Sequence, residues 1–341
     1  MAMSSIPDAT RRLLLRLPLV NGVGMACAHA ASALRKGLNV TYLPKQINTP
    51  YNAIVGSGVL EAMRELGGNG KIVGPANAQA LAQESFIDQL IADRPHAAIL
   101  AANDAIALLP LIQKLLATGT KVVAVDTDLA IDARDLFINQ ASQEGVGRAQ
   151  MQLMAKLMDG KGEFAILSAT PTANNQNAWI YWMLQELRRP GYQDMKMVKV
   201  AYGNDDPALS LEQLKGLLQT FPNLRGIIAP TTVGISAAAE YLAHSPAHKG
   251  KIQLTGLGTP NQMRPFVKNG TVTAFQLWNP VDLGYLAAYA AANLAAGVIG
   301  GKKGEVFAAG RLGTYTVGSK GEVILGAPTT FDINNIDQFN Y

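Results

Sequence analysis

The stretch HAAILAANDAIALLPLIQKLLATGTKVVAVDTD, residues 96–128, carries the pattern from which the architecture is read. Residues 97–101 form a short, continuous apolar run. After a polar break, 108–116 place apolar residues at helical spacing, and 121–125 form a second apolar run that ends on Asp126. Apolar runs of this length, without alternation and separated by a helix, read as strands of a parallel sheet covered on both faces. The same pattern extends outward. Towards the N-terminus lie strand 40–43, helix 52–66, strand 71–74 and helix 80–92. Towards the C-terminus the rhythm starts again: strand 163–167 and helix 175–187, strand 196–201 and helix 209–220, strand 226–229 and helix 235–243. Strands 251–254 and 272–276 follow, around the segment 260–268. The chain has 341 residues, about two domains' worth. The expected fold class is α/β, with two doubly wound parallel-sheet lobes in tandem.

Open sheets of this kind bind ligands beyond the carboxyl ends of their strands. The residues there are Pro44-Lys45, Asn103-Asp104, Asp126-Thr127-Asp128, Pro230-Thr231-Thr232 and Trp278-Asn279. Amides, carboxylates and an amine beside an aromatic ring suit a polyol, whose hydroxyls need polar partners and whose C–H edges need an apolar face. Polar residues at strand ends also cap the helices that follow, and position alone leaves both readings open.

Other chemistries find no support. The 29 Lys and Arg against 25 Asp and Glu are scattered rather than gathered on one stripe, so no nucleic-acid partner is expected. Cys27 is the only cysteine in the sequence, which leaves no intrachain disulfide and no cysteine-based metal site. His244 and His248 are spaced i, i+4, but Pro246 between them breaks a helix and no acid accompanies them. Gly56-Ser57-Gly58 begins like a dinucleotide fingerprint, yet Glu61 occupies the third glycine position and would repel a pyrophosphate. Neither a phosphate-binding Gly-Lys-Ser/Thr loop nor a Gly-x-Ser-x-Gly elbow occurs. Asp126 and Asp128 lack a partner base, so no enzyme activity and no cofactor are expected. Residues 283–299 are apolar but Ala-rich and carry Tyr285, Tyr289 and Asn293, which reads as a buried helix rather than a membrane span. At the N-terminus, Arg11-Arg12 precede Leu13-Leu14-Leu15, and Ala26-Cys27-Ala28-His29-Ala30 offers small residues for cleavage. Residues 1–30 are read as an export signal, with a twin-arginine look, cut near Ala28 or Ala30.

The motifs Tyr-Leu-Pro-Lys at 42–45, Val-Asp-Thr-Asp at 125–128, Asn-Gln-Asn-Ala-Trp at 175–179 and Ile-Ala-Pro-Thr-Thr at 228–232 resemble those of the type I periplasmic sugar-binding proteins of ABC importers. So do Thr-Pro-Asn-Gln-Met-Arg-Pro at 259–265 and Phe-Gln-Leu-Trp-Asn-Pro at 275–280. The likeness is greatest to the branch that holds the rhamnose-binding and autoinducer-2-binding proteins. It implies that Lys45, Asp126, the pair Asn175 and Gln176, Pro230 and Thr232 hold the ligand. Tyr51 and Trp278 are expected to cover its apolar face, and the strand-end residues Asn103 and Asn279 to bind it too, whereas Trp179 is expected in the core. Two departures set this chain apart. Asn175 stands where the autoinducer proteins carry aspartate, and Thr232 stands where they carry alanine. Gly256-Leu257-Gly258 replaces the Gly-Phe-Asp usual in pentose and galactose binders. The pattern is closer to the rhamnose-binding proteins, so L-rhamnose is the expected ligand.

The resemblance further implies an exported, periplasmic monomer that docks on the membrane subunits of an ABC permease. It implies a hinge crossed several times. The first lobe would comprise residues 38–139 and 279–302, and the second 140–278 and 303–341, with crossings near Asn139-Gln140, near Trp278-Asn279 and after the helix ending near Ile299.

Overall fold

A computed structural model describes residues 37–341; the expected export signal lies outside them. Two parallel sheets organise the chain. The first contains β1 (Asn39–Leu43), β2 (Asn69–Ile72), β3 (Ala97–Leu100), β4 (Lys121–Val125), β5 (Leu136–Asn139) and β13 (Glu322–Ile324), in the order β13-β5-β4-β3-β1-β2. Every pairing in it is parallel. The second contains β6 (Gly162–Ser168), β7 (Met195–Tyr202), β8 (Leu224–Ala229) and β9 (Gln253–Gly256), in the order β7-β6-β8-β9, again all parallel. Beside it β10 (Ala274–Leu277) pairs antiparallel with β14 (Thr329–Asp332), and a single bridge from Leu257 to Gln276 ties β10 to the second sheet. β3 is buried along its whole length, as its continuous apolar run requires.

Helices follow the strands: α1 (Pro50–Glu65), α2 (Glu84–Asp93), α3 (Leu109–Ala117), α4 (Gln143–Leu157), α5 (Asn174–Leu187), α6 (Pro207–Thr220), α7 (Thr232–Ala243), α8 (Pro260–Lys268) and α9 (Pro280–Ala295). Four of them, α1, α6, α8 and α9, begin with proline immediately after Thr49, Asp206, Thr259 or Asn279. Proline fits the first helical position because the N–H it lacks would be unpaired there anyway. In α1, α6 and α9 the preceding side chain also accepts from a first-turn N–H, so these helices start sharply at the ends of their loops.

The apolar segment 283–299 is largely α9, buried against α1 rather than in lipid. Gly58 of α1 lies so close to α9 that a Cβ there would sit 2.0 Å from the Val281 carbonyl oxygen. Gly284 returns the contact: a Cβ would meet the Val55 carbonyl oxygen at 1.9 Å. Gly58 therefore serves backbone-to-backbone helix packing. Among the described residues no helix is long and apolar enough to cross a membrane.

The last hinge crossing differs from expectation. The resemblance places residues 303–341 whole in the second lobe, but Val323 pairs with Ile138 and Ile324 with Asn139 in the first sheet. The Leu325 N–H then donates to the Asn139 carbonyl at 2.8 Å. Before that strand, the hairpin of β11 (Val306–Ala308) and β12 (Thr314–Thr316) is carried by the first lobe too, with Arg311 stacked over Tyr285 of α9. The chain changes sheets between Ile324 and Thr329, not after Ile299. Three residues with one buried side chain make too short a strand for hydrophobic periodicity to reveal.

Candidate functional site

Between the two sheets lies a cavity lined by residues of both lobes. Its walls begin where strands end. Lys45 follows β1, Asp126 follows β4, Asp205 follows β7, Pro230, Thr231 and Thr232 follow β8, and Trp278 follows β10. Asn175 and Gln176 occupy the first turn of α5, while Thr49, Tyr51 and Asn52 come from the start of α1. Trp179, Val233, Leu257 and Leu277 complete the lining.

The polar groups form one network that spans both lobes. The Asn175 amide donates to Asp126 Oδ2 at 3.0 Å and to the Asp126 carbonyl at 3.4 Å. Its Oδ1 accepts from Lys45 Nζ at 3.3 Å and from the Gln176 N–H at 2.9 Å. Lys45 Nζ also lies 3.6 Å from Asp126 Oδ2. These bonds settle which way the Asn175 amide points, since only its nitrogen can donate to a carboxylate. Gln176 is fixed likewise: its Oε1 accepts from Ser168 Oγ at 2.7 Å and from the Ala169 N–H at 2.8 Å. That leaves its Nε2 as a donor for the cavity.

Asp126 holds a left-handed backbone, φ 62°, uncommon for a residue with a side chain and typical of functional loops. Tyr51 donates to its Oδ1 at 3.0 Å, and the Trp278 indole N–H donates to the Tyr51 hydroxyl at 3.0 Å. Burial, and next the Asp126 charge, push the Tyr51 phenol well above its ordinary pKa, so it remains a donor. Trp278 meets Tyr51 edge-on, with ring centroids 6.2 Å apart, and Trp179 at 5.8 Å. The three rings make an apolar corner joined to the charged one through the Tyr51–Asp126 bond.

Eight expected residues thus come together on one cavity: Lys45, Tyr51, Asp126, Asn175, Gln176, Pro230, Thr232 and Trp278. Asn103 and Asn279 stand outside its lining. Asn103 is a strut beneath the Lys45 loop, its Nδ2 donating to the Lys45 carbonyl at 2.9 Å and to the Gln79 carbonyl at 3.1 Å. Asn279 caps α9, accepting from the Val281 N–H at 3.0 Å. Trp179 is buried at 2% exposure, as expected of a core residue, yet it also forms cavity wall with its indole N–H unpartnered.

Sequence reasoning missed Asp205. It accepts from the Thr231 hydroxyl, and its carbonyl accepts from Gln46 Nε2 of the other lobe at 3.2 Å. Burial raises its pKa; the Thr231 bond and the Lys45 charge act against that rise, while Asp126 adds to it. The available signal was its place after an apolar strand, but Gly203-Asn204-Asp205 reads equally well as a turn.

Among the described residues no group of three or more His, Cys, Asp or Glu gathers as a metal site. The arrangement offers donors, acceptors and an aromatic corner, suited to holding a small polyhydroxylated molecule between the lobes.

Comparison with known proteins agrees. The family described as Periplasmic binding protein domain matches residues 40–299. A solved sugar ABC transporter structure from Actinomyces odontolyticus is 43% identical, with a TM-score of 0.72, covering 92% of this chain and 99% of that one. An ABC transporter solute-binding protein from Clostridium phytofermentas, solved with bound L-rhamnose, is 33% identical over 89% of this chain and 98% of its own, with a TM-score of 0.86. The D-ribose/D-allose-binding protein of Pseudomonas aeruginosa is 22% identical over 204 residues, 56% of this chain and 60% of that protein. The chain therefore belongs to the periplasmic binding protein domain family, within its branch of sugar ABC transporter solute-binding proteins.

Proposed function

We propose that this protein captures L-rhamnose outside the cytoplasm and delivers it to an ABC permease. The observation that carries the choice of sugar is the Asn175 amide, held between the Asp126 carboxylate at 3.0 Å and Lys45 Nζ at 3.3 Å. An aspartate at position 175 would set two carboxylates against each other, so this frame favours a ligand whose hydroxyls join an Asp–Asn–Lys row. A 6-deoxyhexose presents such hydroxyls on one side and a methyl group on the other, which Trp278, Trp179 and Tyr51 can cover. The relative solved with L-rhamnose supports the same reading.

Lys45, Tyr51, Asp126, Asn175, Gln176, Pro230, Thr232 and Trp278 are the proposed ligand contacts. Delivery requires a transient encounter with permease subunits through surfaces of both lobes, consistent with a monomer. A thermal-shift screen over common monosaccharides tests the ligand. A sugar at ~100 times its dissociation constant adds about 2.7 kcal/mol of stability. L-rhamnose is expected to give the largest shift; a larger shift with autoinducer-2 and none with L-rhamnose would overturn the reading of Asn175 and Thr232.

A further inference from the structure

We propose that Asp205 is a specificity-determining ligand contact whose carboxylate accepts a hydroxyl of the bound sugar. The proposal rests on the sugar-binding reading above and deepens it.

Position comes first. Asp205 follows β7, lines the cavity and lies on the second lobe. Its backbone is an independent sign. Asn204 and Asp205 are consecutive residues in the left-handed region, with φ of 53° and 49°. Asn and Asp tolerate that conformation better than other side-chain-bearing residues, but two in succession persist only where the surroundings hold them. The holding bonds are visible. The Asn204 N–H donates to the Ala169 carbonyl at 2.8 Å, and Gln46 of the first lobe donates to the Asp205 carbonyl at 3.2 Å. The strained turn thus aims a carboxylate at the cavity and ties it to the opposite lobe.

The carboxylate is only half satisfied. Thr231 donates to Oδ1, although Thr231 sits at the N-cap of α7, where a hydroxyl ordinarily serves the helix. Among the described residues no donor bonds Oδ2. Facing Asp205 are the Lys45 ammonium, which favours its charge, and the Asp126 carboxylate, which opposes it. Burial disfavours the charged form most, so closure of the cleft removes water that the carboxylate needs. A sugar hydroxyl donating to Oδ2 replaces that water by a charge-assisted bond. A ligand lacking a hydroxyl there leaves the carboxylate buried and underbonded, the condition under which hydrogen-bonding sites discriminate most strongly.

The test is calorimetry of the full mature protein with L-rhamnose and a panel of its epimers and deoxy analogues, on wild type, Asp205→Asn and Asp205→Ala. Sugar-free melting is measured in parallel. Asparagine keeps the shape and the acceptor for Thr231 but presents an amide nitrogen where Oδ2 stood. The expected result is at least about a tenfold loss of affinity in both variants, with narrowed discrimination across the panel and no loss of sugar-free melting temperature in Asp205→Asn. Wild-type affinity should also fall more on acidification than that of Asp205→Asn, because protonation removes the charge that strengthens the bond. Unchanged affinity in Asp205→Asn would overturn the role of Asp205 while leaving sugar binding intact. Lower sugar-free melting with unchanged affinity would make the residue purely structural. A wild type that binds no sugar of the panel would overturn both readings.

Discussion

Asp126 and Asn175 join the two halves of the cavity, and their geometry sets what each substitution should do. Asp126→Ala removes the acceptor of Tyr51 and Asn175 and the ion partner of Lys45. Truncating one partner of a buried charge pair costs ~2–5 kcal/mol, so L-rhamnose affinity should fall by roughly 30-fold or more in a calorimetric titration. Asn175→Asp should also weaken binding, because a second carboxylate then faces Asp126 at about the length of a hydrogen bond; unchanged affinity would show that the amide is not the discriminating group. At this scale the sequence was legible where a residue's chemistry has few uses. Lys45 and Asp126 were singled out by their motifs as well as by their place after apolar strands, and both line the cavity. Asn103 and Asn279 misled because an amide at a strand end serves equally as strut, cap or ligand. Asp205 was hidden because what singles it out is a pair of left-handed backbone angles, which residue types do not reveal.

Secondary-structure elements were read most securely where both faces of a strand are buried. β3 and β4 follow the predicted apolar runs within a residue. β2 and β13 were displaced or unseen, because edge strands this short and exposed carry little pattern. Helix packing makes its own predictions. Gly58→Ala forces a Cβ against the Val281 carbonyl and pushes α1 from α9, so about 1–3 kcal/mol of stability should be lost in denaturant melts. Between α4 and α5, Glu186 is buried at 3% exposure. Burial alone would raise its pKa, but hydrogen bonds from Gln152, Arg148, Tyr192 and Arg189 outweigh it and hold the carboxyl at about 2. A carboxyl lowered on folding contributes stability above the ordinary carboxylate range, lost as pH falls towards about 2. Glu186→Gln should therefore lower the melting temperature near neutral pH, and the gap to wild type should close on acidification. A gap that persists unchanged in acid would contradict the ionic role.

Across the whole molecule, few polar bonds among the described residues join the lobes: Lys45 and Asp126 to Asn175, Gln46 to Asp205, Thr172 to the Asn103 carbonyl, and Trp278 to Tyr51. Each ties an element of one lobe to the other, and the chain passes between the lobes beside β5, β10 and β13. Two-lobed tandem architecture was visible in the restart of the strand–helix rhythm. The route of the last crossing was not, since it depends on one three-residue strand. Small-angle scattering should show a smaller radius of gyration with saturating L-rhamnose than without sugar, as expected for hinged closure. The most direct test of the central claim is a calorimetric titration of the mature wild-type protein with L-rhamnose. The account predicts saturable binding at one site per chain. No binding of L-rhamnose or of any other monosaccharide, by protein shown to be folded, would contradict it.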